Sequence, residues 1–251
     1  MLKFRKKRFG IIFHYRWFAD RPALSSAFKP MHYMQCASPG NPLLGFVNRK
    51  ITVRVVDLRQ EDEQILAGMK SRTRTDIRRA QREGVEIHTC TDKREFLEFY
   101  NEFAIRKSDH LSRLDDQIHW GEDTLVQKAV HDGNVLVMNH FIVDKADGRA
   151  RMMYSAAKFR GVDSSEDRNR VGRSSRYIHY EMMLHCKRMG LHTYDFGEYD
   201  VDTDDESLKQ VNRFKACFGG FDQECYKVQT LPMFLLSKGY ELIRRTKGAG
   251  I

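Results

Sequence analysis

The feature that most constrains the fold of this chain is an apolar run that carries a carboxylate and ends at a glycine, YDFGE at residues 194–198. After an acidic loop, RFKACFGG at residues 213–220 brings an arginine, a phenylalanine and a lysine to a second glycine turn. In α/β proteins a buried strand often stops at a cleft, and the polar groups past its end face that cleft. The pattern therefore predicts a candidate active site. An ordinary strand end followed by a helix cap is the alternative.

A third segment, SRTRTDIRRAQREGV at residues 71–85, lies far upstream of these two motifs. The three segments in this order resemble the FemABX-like branch of the GNAT superfamily, which includes the peptidoglycan aminoacyltransferases. The resemblance covers roughly residues 47–232, and separated motifs in the right order are more specific than one motif alone. It implies an α/β (α+β) GNAT-like fold, with a central mixed, strongly twisted β-sheet flanked by helices.

Hydrophobic periodicity and turn residues predict an element order that agrees with such a fold. Two apolar runs around residues 144–148 predict a central antiparallel hairpin. A charged loop is predicted at residues 161–170. The other predicted strands are at 51–56, 85–89, 191–196 and 223–230, and the predicted helices are at 61–70, 71–82, 123–131, 174–189, 204–218 and 232–246, with an aromatic helix starting after Asp92.

The chain is predicted to contain a basic and aromatic N-terminal segment with a linker, residues 1–46, and a single GNAT-like domain, residues 47–251. The composition of residues 1–21 is compatible with an anionic bilayer surface. Packing of its aromatic side chains on the domain is the alternative. Prolines and glycines from Pro22 to about residue 45 predict an irregular connection.

The formal net charge of +9 favours an anionic partner, such as a phosphorylated cofactor, a nucleotide-linked sugar, tRNA or an acidic membrane surface. The five cysteines show neither metal-site spacing nor a disulfide framework, which favours a reducing cytoplasm. No apolar run reaches the roughly 18 residues of a transmembrane helix. We therefore expect a cytoplasmic protein without a metal, with a position at the inner face of the membrane as an alternative.

In the GNAT fold, backbone N–H groups at the start of a helix bind the phosphates of the donor. The matching stretch here is residues 169–175, in which Asn169, Gly172 and Ser174 stand where the usual acetyl-CoA loop has Gln or Arg, Gly, and Gly or Ala. This departure leaves acyl-CoA, acetyl-CoA, acyl carrier protein and aminoacyl-tRNA all open as donors. The candidate donor-binding residues are Arg170, Gly172, Arg173, Ser174 and Ser175, with Arg168 and Arg176 as further phosphate ligands.

Acyl transfer to an amine requires removal of a proton and stabilisation of the developing oxyanion. Glu198 and Asp195 are the candidate bases, and Glu198 is preferred because it follows Gly197, where the chain leaves the sheet. The resemblance assigns Phe214 and Lys215 to positions beside the reacting carbonyl. We expect Lys215 to be an exposed charge whose removal lowers turnover but costs little stability.

Arg74 and Arg78, four residues apart, share a helix face and are a candidate clamp for a phosphate or carboxylate of the acceptor. Tyr177 and His179 are further candidate acceptor-binding residues, although a structural role is the alternative for His179. The aromatic residues Phe96, Phe99, Tyr100 and Phe103 are interpreted as core.

The resemblance implies an N-acyltransferase that moves an acyl or aminoacyl group to an amine of a sugar or a cell-envelope or polysaccharide precursor, and the basic charge balance fits an anionic donor and acceptor. An N-acyl amino acid synthase or a small-amine acetyltransferase is the nearest alternative. A non-catalytic nucleic-acid-binding module is a further one, because the 71–82 helix and the N-terminus are basic.

Overall fold

The computed structural model describes residues 1–8, 10–107, 113–116, 118–159, 164–200 and 202–248. The chain divides into two compact units. We call residues 1–53 with 223–251 the terminal unit and residues 54–222 the central unit. A strand begins at Phe46, beside the predicted boundary, and continues to Asp57. The division into an N-terminal segment and a single domain stays a prediction.

Strands and helices account for most of the described chain. The strands are β1 (Leu2–Arg8), β2 (Ile11–Trp17), β3 (Met31–Cys36), β4 (Phe46–Asp57), β5 (Glu86–Thr89), β6 (Thr124–His131), β7 (Asn134–Asp144), β8 (Arg149–Ala157), β9 (Thr193–Glu198) and β10 (Phe221–Thr230). The helices are α1 (Asp62–Ala67), α2 (Ser71–Arg82), α3 (Lys93–Lys107), α4 (Ser165–Arg188), α5 (Glu206–Ala216) and α6 (Leu231–Gly248).

The terminal unit is built on a sheet with the strand order β1-β2-β3-β10-β4. Strands β1 and β2 form an antiparallel hairpin, β2 and β3 run parallel, and β3 and β10 run antiparallel. The predicted irregular connection from Pro22 onward is wrong in part, because it contains β3. Tyr33 and Cys36 are fully buried in the core of this unit, and that burial stabilises the strand.

The central unit contains a mixed sheet with the strand order β4-β9-β8-β7-β6-β5. Strands β5 to β8 are successive antiparallel neighbours, and β8 pairs with β9 in parallel. Helices α3 and α4 pack on these strands, and α2 packs on α4. This arrangement confirms the predicted α/β fold with a mixed sheet flanked by helices.

The predicted helix at residues 123–131 is wrong, because this segment forms strand β6. Its two edges are both used, since it pairs with β5 on one side and with β7 on the other. Val126 and Ala129 are buried in two different core clusters. Tertiary pairing therefore decides the conformation of a short apolar segment that periodicity alone leaves ambiguous.

Helix α4 begins nine residues earlier than the predicted start at Ser174. The side chain of Ser164 caps it by accepting a hydrogen bond of 3.0 Å from the Asp167 N–H. The predicted charged loop at 161–170 is thus helical from residue 165, and residues 160–163 lie outside the described residues. The predicted helix at 71–82 and the predicted hairpin around 144–148 are confirmed.

None of the helices in the described part of the chain is long and apolar enough to cross a membrane.

The two glycines that end the RFKACFGG segment allow a close backbone approach. Gly219 and Gly220 have φ values of +76° and +77°. A Cβ at Gly220 would lie 2.1 Å from the carbonyl oxygen of Val55 on β4. The left-handed backbone and the lack of space both require glycine at this position.

Replacing Gly220 by alanine is expected to destabilise the protein by about 3 kcal/mol, because a steric clash adds to the strain of positive φ. Gly84, which follows α2, is a matched control, since its φ is +76° and no atom lies within 4 Å of an added Cβ. Gly84→Ala should cost only about 1 kcal/mol. Urea unfolding measures both, and equal losses would contradict the steric argument.

Candidate functional site

A cleft of about 870 Å³ opens in the central unit. Side chains from α2, α3, β8, α4 and α5 line it, so its walls are helices and its inner side includes a strand of the sheet. A volume of this size accommodates a substrate of several hundred daltons.

Lys215, in the last turn of α5, is a buried cation of this cleft. Its side chain is mostly removed from solvent, and its Nζ donates a hydrogen bond of 2.5 Å to the main-chain carbonyl of Glu198 at the end of β9. Burial, and next the positive charge of Arg151, lowers the pKa of the Lys215 ammonium to about 8. The expectation that Lys215 is an exposed charge is therefore wrong.

The cleft is locally positive. Among the described residues that line it, eight side chains are basic and two are acidic. The basic residues are Arg72, Arg79, Arg106, Lys158, Arg168, Arg173, Arg176 and Lys215, and the acidic ones are Asp76 and Glu102. Such an excess of positive charge in a concave site favours an anionic ligand.

Ion pairs hold several of these arginines in place. Asp76 lies 3.4 Å from Arg176 and 4.0 Å from Arg72. Arg176 also lies over the ring of Phe214, with 5.7 Å between its Cζ and the ring centroid. The Arg176 guanidinium is thus oriented before any ligand arrives, which reduces the entropy lost on binding. The exposed Arg72 side chain is held less firmly.

Arg173 belongs to a second ion-pair network. Its guanidinium donates to Glu83 at 2.9 Å and to Glu166 at 2.6 Å, and Arg79 contacts the same two carboxylates. Arg173 is almost fully buried, so these bonds satisfy a charge that water cannot reach. The network ties the end of α2 to the first turn of α4.

His179 on α4 lies at the bottom of the cleft in a cluster of aromatic rings. Its Nδ1 is 2.6 Å from the hydroxyl of Tyr194, and its Nε2 is 3.4 Å from the amide nitrogen of Asn139. Burial, assisted by the charge of Lys215, lowers the pKa of His179 to about 3. This histidine is therefore neutral at physiological pH and hydrogen bonded within the core.

No family model matches the sequence, and no curated protein matches it. Solved structures resemble it in fold. FemX matches with a TM-score of 0.63 at 15% identity over 92% of this chain and 85% of that chain. The C-terminal domain of a putative lysylphosphatidylglycerol synthetase from Agrobacterium fabrum gives 0.53 at 14% identity over 82% and 69%. L-PGS from Bacillus licheniformis gives 0.51 at 14% identity over 90% and 75%.

The chain shares its fold with FemX and with the other two structures. The likeness rests on the arrangement of helices and strands, since the sequence identities are low. It agrees with the resemblance that the motifs at residues 71–85, 194–198 and 213–220 predict.

The structure brings some of the predicted site residues into the cleft and leaves others outside its lining. Those that line the cleft are Lys215, Phe214, Gly172, Arg173, Ser175 and His179. Those absent from the lining are Asp195, Glu198, Arg170, Ser174, Arg74, Arg78 and Tyr177.

The two candidate bases, Asp195 and Glu198, lie in different surroundings. Asp195 is fully buried, and its carboxylate accepts from the Gly197 N–H at 2.6 Å and from Arg149 at 3.3 Å. It braces the end of β9. Glu198 contributes its main-chain carbonyl to Lys215, while its carboxylate is not part of the cleft wall.

The predicted phosphate loop at residues 169–175 is wrong as a loop, because all of it lies inside α4. Backbone N–H groups within a helix bind carbonyl groups of the preceding turn, so they are not available to a phosphate. At the true start of α4, Glu166 and Asp167 place negative charge in the first turn. That charge opposes phosphate binding at this helix terminus.

The predicted Arg74 and Arg78 clamp is displaced to another face of α2. Arg74 is held by the main-chain carbonyls of Ala67 and Met69 at the end of α1, and Arg78 points to solvent. Arg72, Asp76 and Arg79 occupy the face that lines the cleft. The predicted helix is confirmed, and the role of Arg74 and Arg78 as an acceptor clamp stays a prediction.

Sequence reasoning missed the contribution of α3. Phe96 and Tyr100 are core residues as predicted, whereas Phe99 and Phe103 line the cleft together with Glu102 and Arg106. The signal was present, because positions 99, 102, 103 and 106 fall on one helix face and mix aromatic with charged residues.

The described residues contain no group of His, Cys, Asp and Glu side chains that could hold a metal ion.

Tyr194→Phe is expected to destabilise the protein by about 1–3 kcal/mol, because it leaves Nδ1 of the buried His179 without its partner. His179→Phe should lower the free energy of unfolding by a similar amount, because it leaves the buried hydroxyl of Tyr194 without its partner. Since each change breaks the same hydrogen bond, the double variant should be more stable than the sum predicts by about 1 kcal/mol. Chemical denaturation of the four proteins measures this coupling, and strict additivity would rule the bond out.

Proposed function

We propose that this protein is an N-acyltransferase that moves an acyl or aminoacyl group from an activated, anionic donor to an amine. The observation that carries the proposal is Lys215, a buried ammonium at the floor of a positively lined cleft. The FemABX-like fold and the matching position of Lys215 in the RFKACFGG motif support it.

In this mechanism Lys215 stabilises the negative charge that develops on the carbonyl oxygen of the donor. A fixed ammonium in a poorly hydrated site stabilises an oxyanion more than water does. Its hydrogen bond to the Glu198 carbonyl fixes Nζ without neutralising it. Phe214, also in the lining, contributes an apolar wall next to the reacting group.

The balance of the reaction requires no protein base. The amine nitrogen attacks the carbonyl carbon, an N–C bond forms, and the bond to the donor oxygen or sulfur breaks. The proton lost by the amine passes to the departing oxygen or sulfur, directly or through water. This route fits the cleft, because Asp76 and Glu102 lie in ion pairs with arginines. The role of Glu198 as the base stays a prediction without support from the lining.

The donor is held by side chains rather than by a helix terminus. Arg168 and Lys158 line the cleft near the start of α4, and Arg176 lines it from the middle of that helix. The acidic first turn disfavours a pyrophosphate at the helix terminus. We therefore rank aminoacyl-tRNA and acyl carrier protein above acyl-CoA and acetyl-CoA as donors. A small-amine acetyltransferase is the second candidate.

The acceptor that we propose is an amine of a sugar or of a cell-envelope or polysaccharide precursor, met in the cytoplasm. Support comes from FemX, from the C-terminal domain of the putative lysylphosphatidylglycerol synthetase and from L-PGS, which share the fold.

Lys215→Met is expected to lower kcat by about 10²–10³-fold, because it removes the charge that stabilises the oxyanion. Stability should stay the same or rise, since a buried charge is replaced by an apolar chain of similar length. Lys209→Ala is the control on the same helix, because Lys209 is exposed and pairs with Glu206 outside the cleft lining. Full activity of Lys215→Met would overturn the assigned role.

Turnover should also fall as the pH rises past about 8, because the Lys215 ammonium loses its proton there. The rate falls with rising pH because the lysine carries its positive charge only below the lowered pKa of its ammonium group. A Lys215→Arg variant that keeps measurable activity should lose this alkaline limb, because a guanidinium stays charged. A wild-type rate that stays level through pH 10 would contradict the need for the charge.

The donor ranking is tested by thermal melting with CoA, acetyl-CoA, longer acyl-CoAs and uncharged tRNA in parallel. A ligand at 100 times its Kd adds about 2.7 kcal/mol. That corresponds to a Tm shift on the order of 5 °C for a chain of this size. We expect a shift with tRNA or acyl carrier protein, and a weaker effect in Arg176→Met. A shift with a CoA species alone would move the assignment to the small-amine acetyltransferase.

A further inference from the structure

The positive charge of the chain is concentrated in the terminal unit. That unit contains 15 Lys and Arg against 3 Asp and Glu, a formal charge of +12. The central unit contains 28 Lys and Arg against 31 Asp and Glu, a formal charge of −3. The positive net charge of the whole chain therefore comes from the terminal unit. None of the residues that line the cleft belongs to that unit.

The terminal unit also exposes large apolar side chains. Phe28 and Leu43 are each 93% exposed, so almost none of their surface is covered by the protein. Leu44, Leu231 and Leu235 are exposed as well. Isolated apolar residues on a surface are common, but a group of them indicates an interaction site.

Two hydrogen bonds bring the chain segments that carry these side chains close together. The Thr230 hydroxyl donates to the Lys29 carbonyl at 2.6 Å, which joins the residue after Phe28 to the start of α6. The Leu231 N–H donates to the Gly45 carbonyl at 2.7 Å, which joins the residue after Leu44 to the same point. We call Phe28, Leu43, Leu44, Leu231 and Leu235 the apolar patch.

Basic residues flank the apolar patch. Lys29 follows Phe28 directly and is exposed. Lys238 follows Leu231 and Leu235 at helical spacing, so it lies on the same side of α6. Of the carboxylates in this unit, Glu224 is paired with Lys50 at 2.7 Å. An apolar face beside lysines, on a strongly basic unit, matches the chemistry of an anionic bilayer surface.

We propose that the terminal unit docks on a membrane containing anionic lipids, with the apolar patch inserted among the acyl chains and the lysines at the headgroups. A second copy of the chain fits the apolar patch less well, because two terminal units, each with a formal charge of +12, repel each other. RNA is also poorer, since RNA contacts use phosphates and base stacking, which leave aliphatic leucines uncovered.

Vesicle co-sedimentation tests the proposal on the full chain. Phosphatidylcholine vesicles containing phosphatidylglycerol should bind the protein, and phosphatidylcholine alone should bind it weakly. Phe28→Ser combined with Leu43→Ser should raise the apparent Kd roughly tenfold or more, because two large apolar side chains no longer insert. The melting temperature should not change, since both side chains are exposed.

Ile105→Ser is the matched control, because Ile105 is 58% exposed on α3 of the central unit and is absent from the cleft lining. It should leave vesicle binding unchanged. Lys29→Glu with Lys238→Glu should weaken binding in low salt and have less effect in high salt.

Three results would overturn the proposal. The first is a wild-type protein that does not co-sediment with the anionic vesicles, even if it binds RNA. The second is undiminished vesicle binding by the Phe28 and Leu43 double variant. The third is a wild-type dimer that this variant converts to a monomer without lipid, which would assign the patch to a second copy. Lipid binding is measured without turnover and should be intact in Lys215→Met, so its failure is distinguishable from failure of the transferase proposal.

Discussion

The hydrogen bond from Lys215 to the carbonyl of Glu198 is the contact on which the proposed chemistry of the central unit depends. It joins the end of β9 to the last turn of α5 and holds an ammonium where water hardly reaches. The surrounding structure serves this placement, since Asp195 braces the strand end and Gly220 allows the chain to pass close to β4. A buried amine with a lowered pKa is costly to maintain, and such groups concentrate at functional sites.

The parts of the fold that the sequence predicts are those in which local pattern and tertiary environment agree. Helix α2 has its buried residues Thr73, Ile77 and Ala80 on one face, and the hairpin of β7 and β8 encloses an obvious turn. Strand β6 was mistaken for a helix because eight residues of mixed character fit both periods. The early start of α4 was missed although Ser164 and Asp167 have the spacing of a helix cap.

The sequence predicts only those parts of the candidate site that a local motif specifies. Lys215 and Phe214 lie in a motif, so their position follows from the resemblance. The rotation of α2 and the contribution of α3 depend on which faces meet, and composition does not give that information. Total charge was also misleading, because a value of +9 conceals a basic unit and a slightly acidic one. The positive lining of the cleft is therefore a local arrangement of side chains, held by Asp76, Glu83 and Glu166.

The strand order of the terminal unit has a consequence for synthesis on the ribosome. Strand β3 pairs with β10, and the Met31 N–H donates to Thr230, 199 residues further along the chain. At a translation rate of about 5–20 residues per second, β3 waits on the order of 10 s or longer for this partner. All of residues 54–222 emerge within that interval, so the central unit can complete its folding first. The early strands, with their basic residues, remain open to other partners until then.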